Sequence, residues 1–230
     1  MIVMENFMVI LTILAAYLIG SISSAVIISK IISGEDIRDH GSGNAGATNM
    51  LRVHGKLAGI LTLIFDILKG VIAIGLAMLF TLILSGIKPD NTYGACLKYL
   101  AGLFVVIGHD FPLFFKFRGG KGVATSLGVI LLLNWQIGVT VLIVAIIIMA
   151  LSRYVSLGSV VAAIIYPILL TGYIMGAKGF ENAKVESQYA IVTGIIMALL
   201  LIIKHRSNLK RLAKGTENML FSRKKGRADK

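Results

Sequence analysis

The sequence predicts an all-α integral membrane bundle, and three observations carry that prediction. Of the 230 residues, 57% are hydrophobic and 15% are charged, where a soluble domain averages roughly 45–50% apolar and about 25% charged. Uncharged stretches recur along the chain, most of them near the ~20 residues that a helix needs to cross a bilayer. The mean hydropathy is +0.87, which argues against a cytosolic globular enzyme and against disorder, because so apolar a chain cannot stay solvated.

Residues 6–29 form the first stretch. It lacks a charged leading segment and is too long for a signal-peptide core, so it reads as a span that stays. Residues 57–87 form the second, interrupted by Asp66 and Lys69. Residues 99–108 are short. Residues 123–151 run without a charge, with Asn134-Trp135-Gln136 in the middle. Trp favours the headgroup level and Asn favours turns, so the triplet reads as an interfacial turn. Residues 155–177 and 187–203 complete the set. Splitting at the triplet gives seven transmembrane helices. Two of them, near 99–109 and 122–133, are short, since twelve residues rise only about 18 Å. Five spans and a re-entrant pair around a buried polar loop are the alternative.

Either count is odd, so the two ends of the chain fall on opposite sides. Lys and Arg number 23 against 11 Asp and Glu, a net charge of +12. Residues 30–56, 109–121, 152–155 and 204–230 together hold 18 Lys and Arg, and the intervening opposite segments hold four. The positive-inside rule then puts the N-terminus outside and the C-terminus in the cytoplasm. In this setting the surplus of cations reads as topology signal and contact with anionic lipid, not as a nucleic-acid surface. All four histidines, His40, His54, His109 and His205, fall on the cytoplasmic side or at its boundary. Cys96 is alone, so there is no disulfide framework and no cysteine metal site. Residues 1–217 read as a single membrane domain, and 218–230 as a basic, disordered tail.

Three polar segments on the cytoplasmic side hold the candidate chemistry. In the first, Gly41, Gly43 and Gly46 permit close approach of backbone N–H groups to an anion. Ser42, Asn44, Thr48 and Asn49 add neutral donors, and Arg52 adds a planar cationic fork suited to phosphate. A helix start after these glycines would contribute its dipole. The second ends in Gly119-Gly120-Lys121-Gly122, another anion nest with a cation at its centre. It is not a Walker A loop, because Lys121 is followed by Gly122 and the upstream glycine spacing is wrong. Phe111, Phe114, Phe115 and Phe117 beside Lys116 and Arg118 suit a segment seated at the lipid interface.

The third segment follows the last span. His205 and Asn208 are three apart and share a helical face, and an imidazole there can act near neutral pH. For Lys210, Arg211 and Lys214, topology and lipid contact are sufficient explanations. Asp66 and Lys69 are also three apart. Ionisable groups at membrane depth need partners, and these read as a structural pair bracing the bundle. Ser156, after the turn at Arg153 and Tyr154, caps the next helix or offers a hydroxyl to the site. No His, Asp and Glu spacing resembles a metal site, and no Ser/His/Asp triad is evident.

Two glycine nests with cations and a His–Asn face, set in apolar surroundings, suit two phosphate-bearing substrates at a membrane surface. That suggests transfer between an activated lipid and a small phosphate ester. The runs Gly-Ser-Gly-Asn-Ala-Gly-Ala-Thr-Asn (41–49) with Arg52, Gly-His-Asp-Phe-Pro (108–112) leading to Gly-Gly-Lys-Gly-Val-Ala-Thr (119–125), and His-Arg-Ser-Asn-Leu (205–209) closely resemble the three signature segments of the bacterial PlsY family of glycerol-3-phosphate acyltransferases. The resemblance covers residue 13 to about 217.

It implies a seven-helix bundle in the bacterial cytoplasmic membrane with its signature segments facing the cytoplasm. The implied reaction moves a fatty acyl group from acyl-phosphate to glycerol 3-phosphate, with no metal or other cofactor. It further implies that Ser42 and Arg52 are required, that Lys121 with Gly119, Gly120 and Gly122 grips phosphate, that His205 and Asn208 share that pocket, and that Glu217 supports the fold. On this basis Arg52 and Ser42 are expected on one substrate phosphate, with Lys121 and the 119–122 amides near the acyl-phosphate. His205 or a substrate phosphate accepts the proton, with the substrate favoured. A transporter for a phosphorylated solute is the competing class. It would place its site near the midplane between inverted halves, whereas the polar groups here gather on one face.

Overall fold

In the computed structural model, which describes residues 2–85, 92–178 and 185–220, the chain is helical and has no strand among those residues. Ten α-helices are described: α1 (Ile2–Gly20), α2 (Ser24–Ser33), α3 (Ala47–His54), α4 (Lys56–Ser85), α5 (Thr92–Asp110), α6 (Val123–Leu133), α7 (Trp135–Ser152), α8 (Val155–Lys178), α9 (Val185–Lys204) and α10 (Arg206–Ala213). Single 3₁₀ turns at Ile37–Asp39 and Leu113–Phe115 sit in the two long polar connections. The expected basic tail lies, from residue 221 on, outside the described residues.

Six stretches are long and apolar enough to cross a bilayer: Asn6–Ser33, Lys56–Leu82, Gly94–Phe115, Trp135–Ser152, Val155–Gly176 and Glu186–Lys204. The apolar α6 has 11 residues and rises only roughly 17 Å. The break between α6 and α7 falls at Asn134, inside the predicted triplet, with Trp135 63% exposed at the start of α7.

Two boundaries depart from the sequence reading. The span at 6–29 is not continuous, because α1 ends at Gly20 and α2 begins at Ser24. A Cβ on Gly20 would lie 2.2 Å from the Val105 carbonyl oxygen, and one on Gly108 would lie 2.3 Å from the Tyr17 carbonyl oxygen. Two glycines thus let α1 and α5 touch backbone to backbone, the small-residue packing that membrane helices favour. The break exposes the carbonyls of Gly20 and Ile22, which accept hydrogen bonds from Lys69 Nζ at 3.2 and 3.1 Å. The second correction concerns the short helix at 99–108. It runs from Thr92 to Asp110, because Lys98, the charge at which the sequence reading stopped it, pairs with Glu186 of α9 at 3.8 Å. The two expected short helices are therefore not an equal re-entrant pair.

Interior positions are small or apolar: Ala16, Ile74, Ala101, Val105 and Val129 form one core cluster, and Tyr99, Ile137, Tyr166 and Leu170 another. Large apolar side chains also cover the outside, among them Ile10, Leu14, Ile60, Phe65, Ile146 and Leu199. That distribution is expected where the solvent is lipid and gives no reason to hide hydrocarbon. Asp66 and Lys69 lie on the buried side of α4, 3.0 Å apart, with Ser24 donating to Asp66 at 2.8 Å.

Candidate active site

Asn49 builds the first polar loop. Its amide nitrogen donates to the carbonyls of Ile37, His40 and Asn44 at 3.2, 3.0 and 3.1 Å, and its Oδ1 accepts the Ser42 N–H at 2.8 Å. Gly41, at φ 59°, packs so closely that a Cβ there would sit 2.3 Å from that oxygen. Both ends of the Asn49 amide, expected as a donor to substrate, are engaged in the loop, and Asn49 is not among the wall residues of the cavity described below. Helix α3 does begin just after the glycines, at Ala47.

Arg38 joins this loop to the second one. It forks onto Asp36 at 2.9 and 2.6 Å and donates to the carbonyls of Phe115 and Arg118 at 2.7 and 2.9 Å. The fork holds the Asp36 carboxyl below its usual range. Arg38 drew no notice in the sequence; the only sign of it was a carboxylate two residues earlier.

In the second loop Lys116 and Phe117 take left-handed backbone angles, and Gly122, at φ 71°, opens α6. Gly119 and Gly120 lie against His109. A Cβ on Gly119 would be 2.0 Å from the His109 carbonyl oxygen, and one on Gly120 would be 2.2 Å from His109 Nε2. The Gly120 N–H donates to that carbonyl at 3.2 Å, and the Gly43 N–H donates to the His40 carbonyl at 3.0 Å. The amides of Ser42, Gly43 and Gly120 are thus consumed inside the loops. Part of each expected backbone nest is therefore closed by the loops themselves, and the glycines let the loops pack.

The two loops line part of a cavity of about 420 Å³. Ser42, Gly43 and Asn44 form one wall, and Phe111, Gly119, Gly120 and Lys121 another. Lys204, at the end of α9, and Arg206, Ser207 and Arg211 of α10 form the third. Its walls carry four cations and no carboxylate, a lining whose charge suits an anion. Burial is the main cause that pushes the Lys121 ammonium down to about 8; the neighbouring cations add to this and Glu217 opposes it. Lys204 donates to the Asp110 carbonyl at 2.8 Å and lies 4.4 Å over the Phe111 ring. Lys204, Arg206, Ser207 and Arg211 were missed as wall residues. So many cations after a span look like topology signal, and only the α9–α10 turn reveals which of them point inward.

A carboxylate stands behind the wall. Glu217 accepts from Ser156 Oγ at 3.0 Å, from the Asn208 amide at 2.6 Å and from Arg211 Nε at 2.8 Å. Together these donors hold its carboxyl below the ordinary range, against the effect of burial. Lys121 donates to the other end of the same Asn208 amide. Ser156, inside α8, and Asn208, on α10, thus both turn toward Glu217 and are not among the wall residues, and Asn208 links Glu217 to Lys121.

His205 is buried at the start of α10, where Nδ1 donates to the Leu201 carbonyl at 2.8 Å and leaves Nε2 as an acceptor. Burial, and then Lys121, push its pKa down to about 4. Arg52 donates to the Asn218 carbonyl at 3.2 Å, and neither it nor Thr48 is among the wall residues.

A second, apolar cleft opens between α6, α7, α8 and α9. Val123, Leu127, Leu142, Met149, Ala162 and Ala198 are among its walls, and Val123 is two residues from Lys121. Among the described residues no group of three His, Cys, Asp or Glu side chains comes together.

Six apolar stretches long enough to cross a bilayer, with a cationic cavity and a hydrocarbon-lined cleft among the helices, define a multi-pass membrane protein. The family model described as glycerol-3-phosphate acyltransferase matches residues 10–215, and the chain belongs to that family. A relative from Clostridioides difficile (strain 630), named glycerol-3-phosphate acyltransferase, is 43% identical over 96% of this chain and all of its own. Another of the same name, from Bordetella pertussis, is 41% identical over 92% of each chain. The crystal structure of PlsY, an integral membrane glycerol 3-phosphate acyltransferase, in its glycerol 3-phosphate form superposes with a TM-score of 0.77 at 34% identity, covering 93% of this chain and 96% of that one. Its lysophosphatidic acid form gives 0.73 at 32% identity, over 92% and 94%.

Proposed function

We propose that the protein moves a fatty acyl group from acyl-phosphate to the sn-1 hydroxyl of glycerol 3-phosphate, yielding lysophosphatidic acid and inorganic phosphate for phospholipid synthesis. The observation that carries this reading is the juxtaposition of a four-cation cavity with a cleft of hydrocarbon walls. One suits two phosphate groups and the other an acyl chain. The family membership and the glycerol 3-phosphate and lysophosphatidic acid forms of the similar crystal structure support the same substrates.

Acyl-phosphate is a mixed anhydride, so the reaction needs no further activation. The glycerol hydroxyl attacks the carbonyl carbon, a C–O bond forms, the C–O bond to phosphate breaks, and phosphate departs with the electron pair. The enzyme's task is to align the two reactants and offset charge on the carbonyl oxygen. Lys121, Lys204, Arg206 and Arg211 supply the positive field, and Ser42 an unengaged hydroxyl. A phosphate oxygen of the substrate takes the hydroxyl proton, because His205, held near 4, is a poor resting place for it. No protein-bound metal or other cofactor enters this scheme.

The site faces the cytoplasm of a bacterial cell, in the inner membrane, with the N-terminus outside; the excess of cations on one side supports this. Counting α6 as a crossing gives seven helices in one domain over residues 1–217. The purified protein in detergent, given palmitoyl-phosphate and glycerol 3-phosphate with chelator present, should release phosphate and a lysolipid in equal amounts. Glycerol 3-phosphate flux into liposomes without turnover would overturn the proposal.

A further inference from the structure

Four polar groups at membrane depth converge on one ammonium. Lys69 Nζ lies 3.0 Å from Asp66 Oδ1 and 2.7 Å from His109 Nδ1, besides its bonds to the carbonyls of Gly20 and Ile22. A lysine ammonium has three N–H donors and no acceptor to share among these four groups, and the shortest contact, 2.7 Å to His109, makes Nδ1 an acceptor. Asp66 Oδ1, at 3.6 Å from Nδ1, is too far to claim a proton there. A neutral imidazole has one N–H, and this contact leaves it on Nε2.

The ring is 7% exposed, and Nε2 has no hydrogen-bond partner among the described residues. Nε2 occupies the place where a Gly120 side chain would begin, 2.2 Å from that Cβ position, with the Ala45 carbonyl oxygen 2.8 Å from the same point. Gly120 is part of the cavity wall. Its own amide is already engaged with the His109 carbonyl, and the imidazole packs directly against it, next to the wall residues without being one of them.

We propose that His109 Nε2–H is a donor to the phosphate held beside Gly119–Gly122, with Lys69 and Asp66 as positioning residues that fix its tautomer from inside the membrane. The proposal rests on the function read above. It extends the anion site from the four cations to a fifth, neutral donor, and it assigns the Asp66–Lys69 pair a role beyond bracing helices. It also explains why residue 120 is glycine: any side chain would displace the imidazole.

Two substitutions separate the ring's two nitrogens. His109→Gln places an amide N–H2 near the Nε2 position, whereas His109→Asn keeps an acceptor for Lys69 and reaches no further. In detergent-solubilised protein the Asn variant should raise KM for palmitoyl-phosphate about tenfold or more with kcat little changed, and the Gln variant should recover most of that loss. An unchanged KM in a folded Asn variant, or equal losses in both, overturns the proposal.

Nitrogen-15 spectra of histidine-labelled wild type give a reading that needs no variant to fold. An Nε2–H signal should move on addition of inorganic phosphate, and the His109 ring should report the Nε2–H form. An Nδ1–H ring at this site, or no phosphate-induced shift in any Nε2–H signal, overturns it. Wild type that shows the shift but does not turn over palmitoyl-phosphate would refute the proposed reaction and leave the donor assignment standing.

Discussion

Asn208 donates its amide to Glu217 at 2.6 Å, and the other end of that amide accepts from Lys121. The link runs from a carboxylate behind the cavity wall to a cation on it. Glu217 also fixes Arg211, another wall cation, at 2.8 Å. One carboxylate thus aims two of the four cations without itself entering the cavity, where it would repel an anionic substrate.

Glu217→Gln should accordingly lower both stability and turnover. Losing the charged partner of three hydrogen bonds costs about 1–3 kcal/mol, visible as a lower melting temperature in detergent. The effect has a pH signature. Glu217 is held below its unfolded value, so its contribution is complete above the unfolded carboxylate range near 4.3 and is lost as pH falls through the folded value. The melting-temperature gap between wild type and variant should be constant near neutrality and close on acidification below about pH 4. A gap that persisted unchanged into strong acid would show that Glu217 acts by packing.

Lys121 should set the alkaline limit. Its ammonium is pushed down to about 8 in the free protein, so its charged fraction, proposed to bind phosphate, falls as pH rises through that value. The free enzyme governs kcat/KM, which should fall above about pH 8, chiefly through KM. Lys121→Arg holds its charge throughout that range; whatever its absolute rate, the alkaline limb should disappear. If Arg left the limb in place, another group would own it.

Much of this architecture was legible in the chain. The interfacial turn at Asn134, the helix start after Gly46 and the opening of α6 at Gly122 all follow from local rules, since turn residues and glycine act within a few positions. Roles that depend on a distant partner were not legible. Asn49 and Ser42 look alike in sequence as small polar donors, yet one is buried as the scaffold of its loop and the other lines the cavity. Lys98 looks like the end of an apolar run until Glu186, from another helix, neutralises it. His109 looks like one more boundary histidine until Lys69, forty positions earlier, comes within 2.7 Å of its Nδ1.

Gly120→Ala tests the packing of the two loops. The added Cβ would fall 2.2 Å from His109 Nε2 and 2.8 Å from the Ala45 carbonyl oxygen. The second of these is backbone and cannot swing aside. Overpacking of this kind costs about 1–3 kcal/mol, and here the strain falls on the wall of the anion cavity. The expected result is a large rise in KM for palmitoyl-phosphate together with a modest fall in melting temperature. Wild-type kinetics in Gly120→Ala would mean that the loops are not seated on each other as described.

His205 decides where the proton goes. Its Nδ1 donates to the Leu201 carbonyl at 2.8 Å, so the lone pair is on Nε2, and the ring is pushed down to about 4 by burial and Lys121. A base of that strength is protonated only about one part in a thousand at pH 7, whereas a phosphate monoester, with a second pKa near 6, accepts a proton far more readily. His205→Asn preserves the donor to Leu201 and removes the ring nitrogen. If the substrate phosphate takes the proton, kcat in that variant should fall by less than the roughly hundredfold or more that a general base supplies. Any loss should then appear in KM. A collapse of kcat beyond that bound, with glycerol 3-phosphate binding intact by calorimetry, would transfer the proton to His205 instead.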